Sequence, residues 1–117
     1  MKTANHDLEY MRGDTFRARV TISNVSREDV TGLTFSVKKA KADKEYIVQE
    51  TFETGGFTPA SEEGTEADYV MRVAPEHTEN LDSGDYVYDL ELRLGDDVYT
   101  LMNGKLTLME DVTRRDD

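Results

Sequence analysis

Apolar side chains recur at every second position in one stretch of this chain after another. The cleanest is 86–94, where Tyr86, Tyr88, Leu90, Leu92 and Leu94 alternate with mostly polar neighbours. A two-residue period lines one face of a pleated strand with the apolar row. Upstream, Phe16, Ala18, Val20 and Ile22 form the same pattern, with Arg17, Arg19 and Thr21 facing outward. Leu33, Phe35 and Val37 define a further strand, as do Tyr69, Met71 and Val73, and Leu8 and Tyr10 a brief one. Between 45 and 53 the alternation weakens: Tyr46, Val48 and Phe52 can share a face, but Glu50 interrupts it. A charge on the inward row suits an edge strand, where it deters pairing with foreign chains. In the last strand, Val98 to Met109, Leu101 and Leu106 lie an odd number of positions apart, with Asn103-Gly104 between them. That dipeptide is a strong hairpin signal. A bulge within a single strand is preferred, because such a strand matches the length of Tyr86 to Leu94.

Polar turns separate these rows. Arg12-Gly13-Asp14 reads as a turn, Ser23 to Gly32 as a loop, and Gly95-Asp96-Asp97 as a tight hairpin. Thr54 to Glu66 is the longest irregular segment; its one large apolar residue, Phe57, either folds back onto the domain or contacts a partner. Pro75 to Asn80 reads as one helical turn or a bend. It leads into Leu81-Asp82-Ser83-Gly84-Asp85-Tyr86, a tight corner with a tyrosine directly after it. That is the tyrosine-corner pattern of immunoglobulin-like sandwiches. About seven strands joined by polar turns specify an all-β, two-sheet antiparallel immunoglobulin-like sandwich, with a small closed barrel as its structural competitor. Leu81, Tyr86, Tyr88, Leu90, Leu92 and Phe35 are the expected corner and core residues. Residues 1–6 read as a flexible arm or the run-in to an edge strand, and 111–117 as a polar tail.

Size and charge narrow the functional classes. At 117 residues the chain suits a single domain spanning 1–117, and with no cysteine it needs a core that stands without disulfides. The formal net charge is −11, from 25 acidic and 14 basic residues. Such a charge argues against binding nucleic acid or an anionic membrane surface. Lys38 to Lys44 is the only basic run and reads as a solvated hairpin connection. No apolar run approaches membrane-spanning length, and Met1 to Asp7 lacks the apolar core of a signal peptide. The chain is therefore expected to be made in the cytoplasm without one.

Candidate chemistry is sparse. Arg12-Gly13-Asp14 is a tripeptide that integrins recognise when it projects, but its residues are also ordinary turn formers. Asn24-Val25-Ser26 is a glycosylation sequon, with no secretory signal to make use of it. Glu76 and Glu79 could join Asp82 or Asp85 around calcium, yet no recognised calcium loop is present, and solvated turn carboxylates are expected. His6 and His77 lie far apart and neither has a histidine at chelating spacing. No Gly-flanked serine elbow, cysteine nucleophile or phosphate-cradling loop exists. The residues point to no enzyme, no cofactor and no small-molecule substrate.

Several phrases occur together in order: Arg12-Gly13-Asp14-Thr15-Phe16, Phe35-Ser36-Val37-Lys38, Leu81 to Leu90, Tyr99 to Leu106, and Asp111-Val112-Thr113. In this they resemble the immunoglobulin-like domain of tail and baseplate proteins from phages and prophages of Gram-positive bacteria. They are similar to the N-terminal domain of the baseplate upper protein. Baseplate upper proteins continue into further domains, whereas these residues stop at Asp117, as expected of a stand-alone accessory protein, a decoration protein or a piece of a longer chain. The resemblance spans about residues 8 to 113 and implies a structural or adaptor module of a virion, contacting other tail subunits or copies of itself. Met1 to Tyr10, Thr54 to Glu66 and the tail after Glu110 are the expected contact segments, with Phe57, Tyr10 and Tyr99 as possible contact residues. The alternative is a carbohydrate- or cell-surface-binding module, for which Tyr10, Tyr46, Phe57 and Tyr99 are the available aromatic platforms.

Overall fold

The computed structural model describes residues 3–110. Among them, nine strands run in chain order: β1 Ala4–Asn5, β2 Leu8–Met11, β3 Phe16–Ser26, β4 Gly32–Lys38, β5 Val48–Glu50, β6 Phe57–Pro59, β7 Glu66–Val73, β8 Gly84–Leu94 and β9 Asp97–Met109. They form two sheets. The larger has the order β1-β9-β8-β4-β5, with β2 also on the outer edge of β9; the smaller is β3-β7-β6. This is the strand arrangement of an immunoglobulin-like sandwich, and the all-β expectation holds.

The inward rows are those the alternation indicated. Phe35, Leu33, Leu92, Leu106 and Leu108 are almost wholly buried, with Tyr86, Tyr88 and Leu90 beside them on the large sheet. Ala67, Tyr69, Met71 and Val73 meet them from the small sheet. Leu81 is half-buried and packs against this core. The corner closes as its spacing requires: the Tyr86 hydroxyl donates to the Asp82 carbonyl at 2.7 Å. Tyr86→Phe is expected to cost about 1 kcal/mol, the worth of one buried hydrogen bond. A urea titration reads this as a lower midpoint, and an unchanged midpoint would take the corner out of the stability account.

The structure corrects the sequence reading in six places. The sandwich is not wholly antiparallel, since β1 and β2 both run parallel to β9. Ala4–Asn5 is thereby fixed as strand, within a segment expected to be a flexible arm. The 111–117 tail lies outside the described residues. β3 runs on to Ser26 where a loop was expected; three extra residues bulge between the Ile22–Ala67 and Ser26–Glu66 pairs, and Asn24 takes φ 62° there. A 3-10 turn, Arg27–Asp29, then leads to β4.

Only Val48–Glu50 of the 45–53 stretch pairs, as the edge strand β5, with Glu50 buried on the inward row. The long 54–66 segment contains β6, pinned to β7. Finally, β9 is one strand with a bulge, as preferred, but the extra residue is Leu101: Leu90 opposes Met102 and Glu91 opposes Thr100. Asn103-Gly104 stays in the ladder. A Cβ on Gly104 would fall far inside contact distance of the His6 carbonyl, so glycine there lets the N-terminal segment lie on β9. The turn between β8 and β9 is Gly95-Asp96, with φ 60° at Gly95, the position where a two-residue II′ hairpin calls for glycine.

Candidate binding surfaces

The candidate contact residues divide sharply. Phe57 is 3% exposed, edge-on to Phe52 and paired opposite Met71, so it has folded back into the core and is not a surface contact. Tyr10 is half-buried with its ring 4.7 Å from that of Phe16. Burial pushes its phenol up to about 12 against an opposing hydrogen bond to Thr78. Tyr99 is half-buried opposite Leu92 at one end of the sandwich. Of the four aromatics considered as platforms, Tyr46 alone stands in solvent, at 51% exposure.

Burial also raises the phenols of Tyr69, Tyr86 and Tyr88. A group that holds its proton more tightly folded than unfolded stabilises the fold below the unfolded value, near 10, and loses that contribution as pH climbs through the folded one. The thermal midpoint is therefore expected to fall between about pH 10 and 12, in step with phenolate absorbance. A midpoint flat across that window would contradict the burial of these rings.

The other motifs are architectural. Gly13 is buried and donates its N–H to the Thr78 hydroxyl at 3.0 Å, while Arg12 donates to the Leu81 carbonyl at 3.1 Å. The Arg-Gly-Asp turn is thus tied to the corner. His77 lies 3.1 Å from the buried Glu50 carboxylate, which also accepts from the Thr54 hydroxyl at 2.7 Å. These contacts satisfy the charge inside the β5 edge. Asp85 accepts from Thr107 at 2.8 Å and faces Lys105. Among the described residues, no group of three or more acidic or histidine side chains is arranged to hold a metal ion. Among the same residues, no helix is long and apolar enough to cross a membrane.

Two surfaces among the described residues carry the argument further. The first follows β3, whose outer edge has no neighbouring strand among the described residues, although it is eleven residues long. Beside it the two sheets part in an apolar cleft of about 430 Å³, lined by Leu8, Ala18, Val20, Ile22, Leu101 and Met102 among others. On the opposite face of the small sheet Arg17 lies directly across from Arg72, with Arg19 next along the strand. Arg19 donates to Asp68 at 2.9 Å and holds that carboxyl down at about 2, while no ion pair engages Arg17 or Arg72 among the described residues. A positive patch in a chain of net charge −11 therefore borders the free edge. The second surface is a cleft of about 570 Å³ with mixed polar and apolar lining on the outer face of the large sheet, beneath the Lys38–Tyr46 connection.

The fold is that of an immunoglobulin-like β-sandwich, and these two surfaces are its candidate binding sites. Compared with known proteins, the chain matches no family model and no curated protein.

Proposed function

We propose that this chain is a non-catalytic structural or adaptor module of a phage or prophage virion, part of a tail or baseplate, that docks on neighbouring subunits by strand addition at β3. The observation that carries the docking mode is the long edge of β3, unpaired among the described residues, beside an apolar cleft. An exposed edge presents a row of N–H and C=O groups, and a partner strand that pairs with it gains main-chain hydrogen bonds. Period-two alternation would send every second partner side chain into the cleft and the others to the face that carries Arg17 and Arg72. The partner chemistry that fits is an extended segment alternating apolar and acidic residues. The virion setting rests on the sequence resemblance described above; the acidic charge and the bare edge are compatible with it.

The test is made on purified particles of the phage that encodes the chain. Mass spectrometry is expected to find it with the tail proteins at fixed stoichiometry. Ala18→Arg, which sets a charge at the cleft lining, should lower its incorporation at least about tenfold, the effect of losing ~1.4 kcal/mol of binding. Absence from the particle, or full incorporation of the Ala18→Arg chain, would contradict the proposal.

A further inference from the structure

We infer that the outer face of the six-stranded sheet carries a saccharide site, in which a hydroxyl-rich sugar lies along Ser36, Asp89, Asn103 and Asn5 against the ring of Tyr46. This goes beyond the adaptor role and does not depend on it. The basis is a cross-strand register. Gln49 opposes Ser36, Ser36 opposes Asp89, Asp89 opposes Asn103, and Asn103 opposes Asn5. Five strands thus contribute one polar side chain each to a single row. All five point away from the core, because their neighbours Phe35, Val37, Tyr88 and Leu90 point into it. At the spacing of paired strands the row spans on the order of 19 Å.

The row is not an open face. The Lys38–Tyr46 connection arches beside it, and Lys38, Lys41 and Tyr46 wall the cleft above Ser36, Asp89 and Asn103. Ser36 at its floor is only 7% exposed and is held by Gln49, whose amide donates to it at 3.2 Å. Lys38 donates to the Asp43 carbonyl at 2.6 Å and sits 4.8 Å from the centre of the Tyr46 ring, which fixes the wall. The side chains of Asp89, Asn103 and Asn5 make no hydrogen bond among the described residues. Desolvation holds the Asp89 carboxyl above its ordinary range, opposed by Lys38. Hydrogen-bonding capacity is therefore left over in a partly dried cleft.

The donor set selects the ligand. Sugar hydroxyls both donate and accept, which suits a run of amide, carboxylate and hydroxyl groups. The apolar face of a pyranose suits an exposed aromatic ring. Asp89 sets a carboxylate at the floor against the Lys38 and Lys41 ammonium groups of the wall, so the cleft is not uniformly cationic as a polyanion site would be. A partner strand would gain nothing here, since the backbone of these strands is already paired.

Amide chemical shifts of the labelled full chain would be followed while maltotriose, cellotriose or chitotriose is added to about 10 mM, enough to report a Kd near 1 mM. At least one trisaccharide is expected to shift the amides of Ser36, Asp89, Asn103 and Tyr46. Tyr46→Ala and Asn103→Ala should each weaken that binding about tenfold or more without moving the unfolding midpoint. Three sugars that produce no localised shifts would overturn the site, as would binding that survives both substitutions. An inorganic phosphate titration runs alongside. Shifts centred on Lys38 and Lys41 with phosphate alone would replace the saccharide site by an anion site.

Discussion

Replacing Phe35 by alanine is expected to destabilise the domain by about 3–5 kcal/mol, the range for truncating a buried phenylalanine. Phe35 is 1% exposed and sits on β4, between β8 and β5 in the large sheet. Its ring stacks 6.4 Å from Phe16 of the small sheet and 5.7 Å from Tyr88 of β8, so it joins the two layers where they face each other. The loss would be felt across the sandwich, because neither sheet can close over the void without moving its partner. A domain of this size has only about 5–15 kcal/mol to lose, so the variant should be marginal or unfolded at room temperature. Urea unfolding of wild type and variant gives the number directly. A change below about 1 kcal/mol would show that Phe16 and Tyr88 collapse into the space and that the layers do not depend on this ring.

The second large effect concerns the N-terminal segment. Gly104→Ala is expected to cost about 1–3 kcal/mol by overpacking. The added methyl has nowhere to go, because the His6 carbonyl occupies the place of a Cβ and itself accepts a hydrogen bond from the Tyr88 hydroxyl. His6 N–H donates to the Asn103 carbonyl at 3.0 Å, and Lys105 N–H donates to the Asp7 carboxylate at 3.0 Å. Pushing the backbones apart breaks these contacts together. Hydrogen exchange should therefore quicken from Asn5 to Met11 while the β3–β7 ladder keeps its protection. Uniform acceleration across both sheets would mean that the segment is not separately fastened.

What the sequence disclosed follows from where each interaction partner lies in it. The inward rows of β3, β4, β7 and β8 were legible because alternation is a local property. The corner was legible because Tyr86 and its acceptor Asp82 are four residues apart. The inward Glu50 was visible as a break in a row, and the structure supplies the His77 and Thr54 contacts that let it stay there. Features set by distant partners were hidden. The parallel docking of β1 and β2 joins residues nearly the whole chain apart, and the Leu101 bulge exists only relative to β8. Phe57 could have turned either way until β7 was placed beside it.

The two binding surfaces depend on the same kind of information. That β3 ends a sheet is a statement about what fails to pair with it, and its sequence reads like that of any half-buried strand. Ser36, Asp89, Asn103 and Asn5 are scattered through the chain as ordinary outward residues, and only the register makes them a row. Tyr46 was named as an aromatic candidate, but nothing local distinguished it from Phe57, which is buried.

Hydrogen exchange along β3 tests the docking claim most directly. In an edge strand every second amide faces its partner, here β7, and the others face outward. In the free protein the outward amides between Phe16 and Ile22 should exchange fast and their alternates slowly. In the assembled particle the outward set should become slow as well, because a partner strand has taken those bonds. Protection gained on assembly only at β5, β6 or the loops, with the outward amides of β3 still fast, would contradict strand addition at this edge.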